Sequence, residues 1–269
     1  MNQPTVKDVF AYLNEIAPVE MGVAQDNVGH LIGRGDRPVN RVLIALDITE
    51  EVIQEAVDIK SELIVSHHPL IFAPLYRVTD QDLVGRKVLT LIRHDMAAIC
   101  MHTNLDAVQG GVNDVLADAL GLRERAVLCP GGEDAEGNPY GLGRMGLLPA
   151  PLPMAEFLRK VSQVLQLAGL RYHDAGVPVH RVGLMGGSGS GEFGRAAMLG
   201  CDTYIAGDIK YHTFLEAREL GVNLIDGDHY STENVICSPL RDWLWGRFPQ
   251  LEVFVSRRHS GTAQFFQLG

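Results

Sequence analysis

The chain has 269 residues, 46% apolar and 21% charged, with a formal charge of −10. That length can bury a real core as one large or two medium domains, and the composition excludes a largely disordered chain. The acidic balance and the lack of any run of Lys and Arg count against a protein whose main task is gripping a phosphate backbone, although a local basic pocket remains compatible with it.

TVKDVFAYLNEIAP reads as an amphipathic helix, with Thr5 as its cap and Val6, Val9, Phe10, Leu13 and Ile16 as its apolar stripe. No basic region followed by an apolar run opens the chain, and nothing in it approaches the ~18 uncharged apolar residues of a membrane span. The expected compartment is the cytoplasm, with no membrane partner. After a polar loop at Asp26 and Asn27, RVLIALDIT is strand-like, EEVIQEAVDIK is a helix, and ELIVSHH is the next strand. This strand-helix-strand unit sets His67 and His68 where a buried strand stops, the usual ligand-binding edge of a parallel sheet, and Pro69 prevents regular continuation.

DLVGRKVLTLIRHD is a further helix, MAAICMHTN a strand that ends near His102 and Asp106, and GVNDVLADALGL a helix. The Gly- and Pro-rich stretch CPGGEDAEGNPYGLGRMG marks the expected domain boundary, giving a first α/β domain over 1–128 and a second over 129–269. The second half continues with a strand through YGLGRMGLL, the helix PMAEFLRKVSQVLQ, strands RVGLMGG, TYIAGD and NLIDGD, and helices near 190–199 and 211–220. LEVFVSRR has the alternation of an edge strand, packing across if it joins the first half, and GTAQFFQLG is expected to fold back on the body or meet a second subunit. The fold class is α/β throughout.

Three strand ends carry metal-ligand chemistry. His67, His68, Asp106, His229 and Glu233 offer nitrogen and oxygen donors and no thiolate, which suits a first-row divalent ion at a hydrolytic site better than a structural zinc knuckle. A pair of ions about 3.5–4 Å apart needs terminal ligands on each and an oxygen donor able to bridge them, and Asp106 is the best bridging candidate. His67 and His68 can serve different ions if the chain bends after the strand. His229 and Glu233 are four apart, and a helix beginning at Ser231 would let them meet one ion. Zinc, manganese, iron, nickel and cobalt all accept such donors.

Other residues have two readings each. His102 and His212 are candidate proton carriers, since an imidazole titrates near neutrality, and His102 can equally orient a ligand from outside. Asp26 and Asn27 suit a functional loop or a turn. Asp208, Lys210, Tyr211 and His212 suit a strand-exit site or a surface loop. GGSGSGEF at 186–193 can offer backbone N–H groups to a phosphate or simply turn from strand to helix, and it lacks the pattern of a nucleoside-triphosphate loop. The four cysteines, Cys100, Cys129, Cys201 and Cys237, lack CxxC spacing and read as reduced packing residues.

Taken together, QDNVGHLIG, SHHPLIF, MHTNLDAVQGGVND, MGGSGSG, AGDIKYH and DGDHYSTE resemble the NIF3-like family, also called GTP cyclohydrolase I type 2 homologues, over nearly the whole chain. The resemblance implies a NIF3-like fold of two intertwined α/β domains, with a metal site in the cleft between them. It further implies two divalent ions per subunit held by His67, His68, Asp106, His229 and Glu233, and a homo-oligomer, often a toroidal hexamer. QDN stands where many relatives have an aromatic residue before DN. The chemistry expected is hydrolysis of a nucleotide or related heterocycle by a metal-activated water. The alternative is a non-catalytic metal-binding scaffold or regulatory protein.

Overall fold

The computed structural model describes residues 3–264. Along the chain the strands are β1 Gly29–Ile32, β2 Arg41–Ala45, β3 Leu63–Ser66, β4 Ala97–Cys100, β5 Arg123–Glu133, β6 Pro139–Leu152, β7 Arg171–His173, β8 Val179–Ser188, β9 Thr203–Gly207, β10 Asn223–Asp226 and β11 Glu252–Val255. The helices are α1 Val6–Ile16, α2 Glu50–Asp58, α3 Leu83–Arg93, α4 Thr103–Ala107, α5 Val112–Ala119, α6 Met154–Val164, α7 Phe193–Met198, α8 Tyr211–Leu220, α9 His229–Glu233 and α10 Cys237–Arg247. The class is mixed α/β with two sheets, and none of the described helices is long and apolar enough to cross a membrane.

The described residues form two compact units, the first from 3–105 and 236–260 and the second from 106–235 and 261–264. The boundary expected between 128 and 129 falls instead inside β5. Its signal has a local cause. The Gly, Pro and acidic residues belong to a long exposed hairpin, in which β5 pairs antiparallel with β6 around a turn at Asp134–Asn138. Residues chosen for a turn have the composition of a linker.

In the first unit the sheet order is β1-β4-β3-β2-β11. β4, β3, β2 and β11 run parallel, while β1 is antiparallel to β4. Val42, Leu43 and Ile44 of β2, and Leu63, Ile64 and Val65 of β3, are all fully buried, as a sheet covered on both faces requires. α2 and α3 bury Val52, Ile53, Val88 and Leu91 in a core with Leu43, Ala45, Ile64 and Ala98, and α10 packs on β2 and β11. α1 starts at a capping box in which Thr5 Oγ1 accepts the Asp8 N–H and Asp8 accepts the Thr5 N–H. Val6, Val9 and Leu13 are buried, with Phe10 and Ile16 half-buried beside them. LEVFVSRR supplies β11, the edge strand of this sheet. Residues 265–269 of the last segment, GTAQFFQLG, lie outside the described residues.

The second unit has the order β5-β6-β8-β9-β10-β7, with β8, β9 and β10 parallel and the remaining pairs antiparallel. Two cores form within it. One joins α5 and α6 through Leu116, Leu120, Phe157 and Val161 to Val182, Leu184, Ile205 and Ile225. The other joins α7 and α8 through Phe193, Ala196 and Ala217 to Leu128, Tyr204, Ala206 and Leu224. The segment 190–199 is a short 3₁₀ turn at Ser190–Glu192 followed by α7. The cysteines are thiols, not disulfides, with Cys100, Cys201 and Cys237 buried and Cys129 half-buried. Burial pushes the Cys237 thiol up to about 12, so it is a packing group rather than a nucleophile.

Candidate metal centre

Each unit carries a donor set, the first at the C-terminal ends of its parallel strands and the second in α4 and α9. In the first unit, Asp47 follows β2, His67 and His68 follow β3, and His102 follows β4. These strands are neighbours in one parallel sheet, so their ends share an edge. β3 stops at Ser66, and the chain bends through the two histidines ahead of Pro69, with the Ser66 hydroxyl donating to the His68 carbonyl at 2.8 Å. The bend removes the strand alternation that would send adjacent side chains to opposite faces. The ring centroids of His67 and His68 are 5.1 Å apart, and His102 stands 5.2 and 5.5 Å from them. One nitrogen from each ring lies within 4.8 Å of the other two.

The same nitrogen is anchored on each ring. His67 Nδ1 is 2.8 Å from the Met101 carbonyl, His68 Nδ1 is 2.8 Å from Asp47, and His102 Nδ1 is 2.8 Å from Asp26. A carbonyl or carboxylate oxygen only accepts, so Nδ1 carries the proton in each case and the neutral ring has its lone pair at Nε2. An oxygen acceptor behind each imidazole is the usual support of a metal-binding histidine, because it fixes the tautomer and raises the basicity of the other nitrogen. Asp26 is itself well held. Burial alone would raise its pKa, but hydrogen bonds from His102 and Thr103 bring it well below the usual carboxylate range. It therefore stays ionised behind His102.

In the second unit, Asp106 lies in α4 and is 8% exposed, and Glu233, at the end of α9, is 3% exposed. A carboxylate oxygen of one lies within 4.8 Å of a carboxylate oxygen of the other. α9 begins at His229, not at Ser231. Its cap is Asp228, whose carboxylate accepts the Ser231 N–H at 2.9 Å, so the serine that suggested a helix start is the residue being capped. His229 and Glu233 still meet one turn apart, with Nε2 to Oε2 at 3.1 Å, and His229 Nδ1 is 2.8 Å from Asp208. The hydrogen bond to Glu233, opposed by burial and helped by Asp208, pushes the imidazole up to about 9. Surroundings that hold a proton on this ring favour a metal cation for the same electrostatic reason. Gly207, at the end of β9, lets α9 approach, since a Cβ there would sit 2.7 Å from the His229 backbone.

Of the five candidate ligands, His67 and His68 directly follow β3 in the first unit, while Asp106 in α4 and His229 and Glu233 in α9 are grouped within the second. His102, read as a proton carrier or an outside support, lies among the nitrogens of His67 and His68. His212 is exposed on the first turn of α8 and joins none of the donor groups found among the described residues. Asn27 donates to the Ile71 carbonyl and Asp26 accepts from Thr103, so that loop is built by specific bonds. The glycine loop is a strand end. Gly186 and Gly187 donate to Asn113 Oδ1 and Thr232 Oγ1, both at 2.9 Å, and Gly189 donates to the Gly207 carbonyl, which leaves little for a phosphate. Asp47 escaped the sequence reading, although an aspartate directly after the buried run RVLIAL had the same strand-end signal as the histidines.

Each unit's donors suit a divalent metal: imidazoles fixed by acceptors in the first, two carboxylates and an imidazole in the second, with no thiolate in either group. Comparison with known proteins agrees in fold and family. A relative from Clostridium perfringens called GTP cyclohydrolase 1 type 2 homolog is 35% identical over 229 residues, covering 85% of this chain and 86% of its own. One of the same name from Streptomyces coelicolor is 36% identical, covering 86% and 82%. The crystal structure of the Staphylococcus aureus hypothetical protein SA1388 is similar with a TM-score of 0.90 at 30% identity, covering 98% of this chain and 100% of that one. A Bacillus cereus protein related to NIF3 shares the fold with a TM-score of 0.90 at 24% identity, covering 99% and 100%. The sequence pattern of the Duf34/NIF3 (NGG1p interacting factor 3) family matches residues 4–261, and the chain belongs to that family.

Proposed function

We propose that this protein is a metal-dependent hydrolase in which His67, His68, Asp106, His229 and Glu233 hold two divalent ions and the substrate is a nucleotide or related heterocycle. The observation that carries the reading is the shared anchoring of the histidines, since His67, His68, His102 and His229 each rest Nδ1 on an oxygen acceptor. When bound, a pair of such ions acidifies a water and polarises the bond to be cleaved. Asp106, with two carboxylate oxygens, is the ligand able to bridge. Asp47 and Asp208 keep His68 and His229 in the tautomer that presents Nε2. His102 takes the proton-carrying role in preference to His212, because its Nδ1–H is held by an ionised Asp26 and its Nε2 can accept a proton. The curated relatives' name, GTP cyclohydrolase 1 type 2 homolog, supports a purine nucleotide as the first substrate to try. A homo-oligomer, as the family resemblance implies, working in the cytoplasm completes the proposal.

The test is turnover. Metal-loaded protein is screened against nucleotides and cyclic amides, beside a folded Asp106→Ala variant. A substrate-dependent reaction lost in the variant supports the hydrolase. Bound metal without turnover on any of these substrates would favour the metal-binding scaffold instead.

A further inference from the structure

One side chain ties the backbone of Asp106 to the strand end below Glu233. Asn113, in the first turn of α5 and 1% exposed, donates from Nδ2 to the Asp106 carbonyl at 2.9 Å and accepts the Gly186 N–H at Oδ1 at 2.9 Å. Both ends of the amide are used, so its orientation is fixed. Turning it over would set donor against donor and acceptor against acceptor. The next residue continues the connection. Gly187 donates to Thr232 Oγ1 at 2.9 Å, and that hydroxyl, fully buried in α9, lies 2.8 Å from the Asp228 carbonyl and 3.0 Å from that of His229.

The strand end also sits directly against the carboxylate. Gly187 has φ +66, and a Cβ built there would be 1.9 Å from Glu233 Oε1 and 3.2 Å from His229 Nε2. Asp106, Gly186–Gly187 and α9 are therefore linked by hydrogen bonds from one donor-bearing segment to the other, entirely within the second unit. Arg144 grips the same segment separately, through the Val108 carbonyl at 2.8 Å.

We propose that Asn113 and Thr232 are positioning residues that set the separation of the Asp106 carboxylate from His229 and Glu233 and so tune metal affinity. The inference rests on the metal-binding role proposed above. Neither residue supplies a ligand. Their hydrogen bonds remove the freedom of the two backbones that carry the ligands, and outer supports of this kind are commonly worth about 10- to 100-fold in metal affinity.

The probe is Co²⁺ alone, titrated into the full chain against a competing chelator, with its visible d–d absorption recorded and folding checked by circular dichroism. Thr232→Val keeps the shape and removes the hydroxyl, and Thr232→Ser restores it. The expected result is binding at least about tenfold weaker, with an altered cobalt spectrum, in Thr232→Val, and recovery to within about threefold of wild type in Thr232→Ser. Asn113→Leu breaks the other end of the brace and decides the matter independently where Thr232→Val does not fold. Wild-type affinity and spectrum in the folded variants, or a Thr232→Ser protein as weak as Thr232→Val, would overturn the inference. Failure of the wild-type chain to take up cobalt would instead remove the metal-binding role on which it rests.

Discussion

Asp26 accepts the Nδ1–H of His102 with both carboxylate oxygens, at 2.8 and 3.0 Å, although 76 residues separate them in sequence. The pair turns His102 Nε2 toward the nitrogens of His67 and His68, and the Thr103 hydroxyl holds the carboxylate in place. Asp26→Asn keeps the volume but loses the charge, and its amide can present a donor to Nδ1 and so reverse the tautomer. Metal affinity is expected to fall by about tenfold or more with little change in fold, measured by chelator competition beside circular dichroism.

Gly187 is a second sensitive point, where backbone conformation and site geometry coincide. Gly187→Ala places a Cβ in the left-handed region, at about 1–2 kcal/mol, and into the space of Glu233 Oε1. The expected outcome is a measurable loss of stability in urea together with weakened metal binding. Gly137→Ala, also at positive φ but with no neighbour within 4 Å, should show only the conformational cost.

Arg144 and Asp114 form a buried pair, with Nε and Nη2 at 3.0 and 2.9 Å from the same carboxylate oxygen. The remaining guanidinium hydrogens go to the carbonyls of Ala107, Val108, Gly141 and Gly143. Arg144→Ala removes two short guanidinium bonds from Asp114, leaving it Arg125 Nη1 at 3.6 Å, and leaves carbonyls without their donor, and should cost about 3 kcal/mol by equilibrium unfolding.

Glu55 gives a pH signature remote from the metal ligands. Burial would raise its pKa, but the Ser256 hydroxyl and the N–H groups of Arg257 and Arg258 lower it from the ordinary value of 4.5. A depressed folded value means the stabilisation is present above pH 4.5 and disappears as pH falls through the folded pKa. Glu55→Gln should therefore lose about 1–2 kcal/mol at neutral pH, and the difference from wild type should shrink in acid when urea midpoints are compared.

Much of the fold was legible because its strands are short buried runs and its helices have clear stripes. RVLIAL and ELIVS read as short buried strands, and Thr5 marked the start of α1. The domain division was not legible, since β11 and α10 return late in the chain to the first sheet and no local pattern records such a return. CSPLRDWLWGR also hid α10, with a proline in its first turn and Trp245 63% exposed.

At the site, the candidate ligand types were readable from strand-end histidines and acids, but apart from Asp26, flagged only as a loop residue, their supports were not. Asp47, Asp26, Asn113 and Thr232 act through tertiary hydrogen bonds to residues between 7 and 76 positions away. The glycine loop had two readings, a phosphate cradle or a turn from strand to helix, and its N–H groups are used to brace α5 and α9.

The most direct test of the central claim is elemental analysis of the full chain purified without added metal or an affinity tag, beside a folded Asp106→Ala variant. About two transition-metal ions per wild-type chain, halved or lost in the variant, is the predicted result. A wild-type protein that holds no metal and takes up none on titration would contradict it.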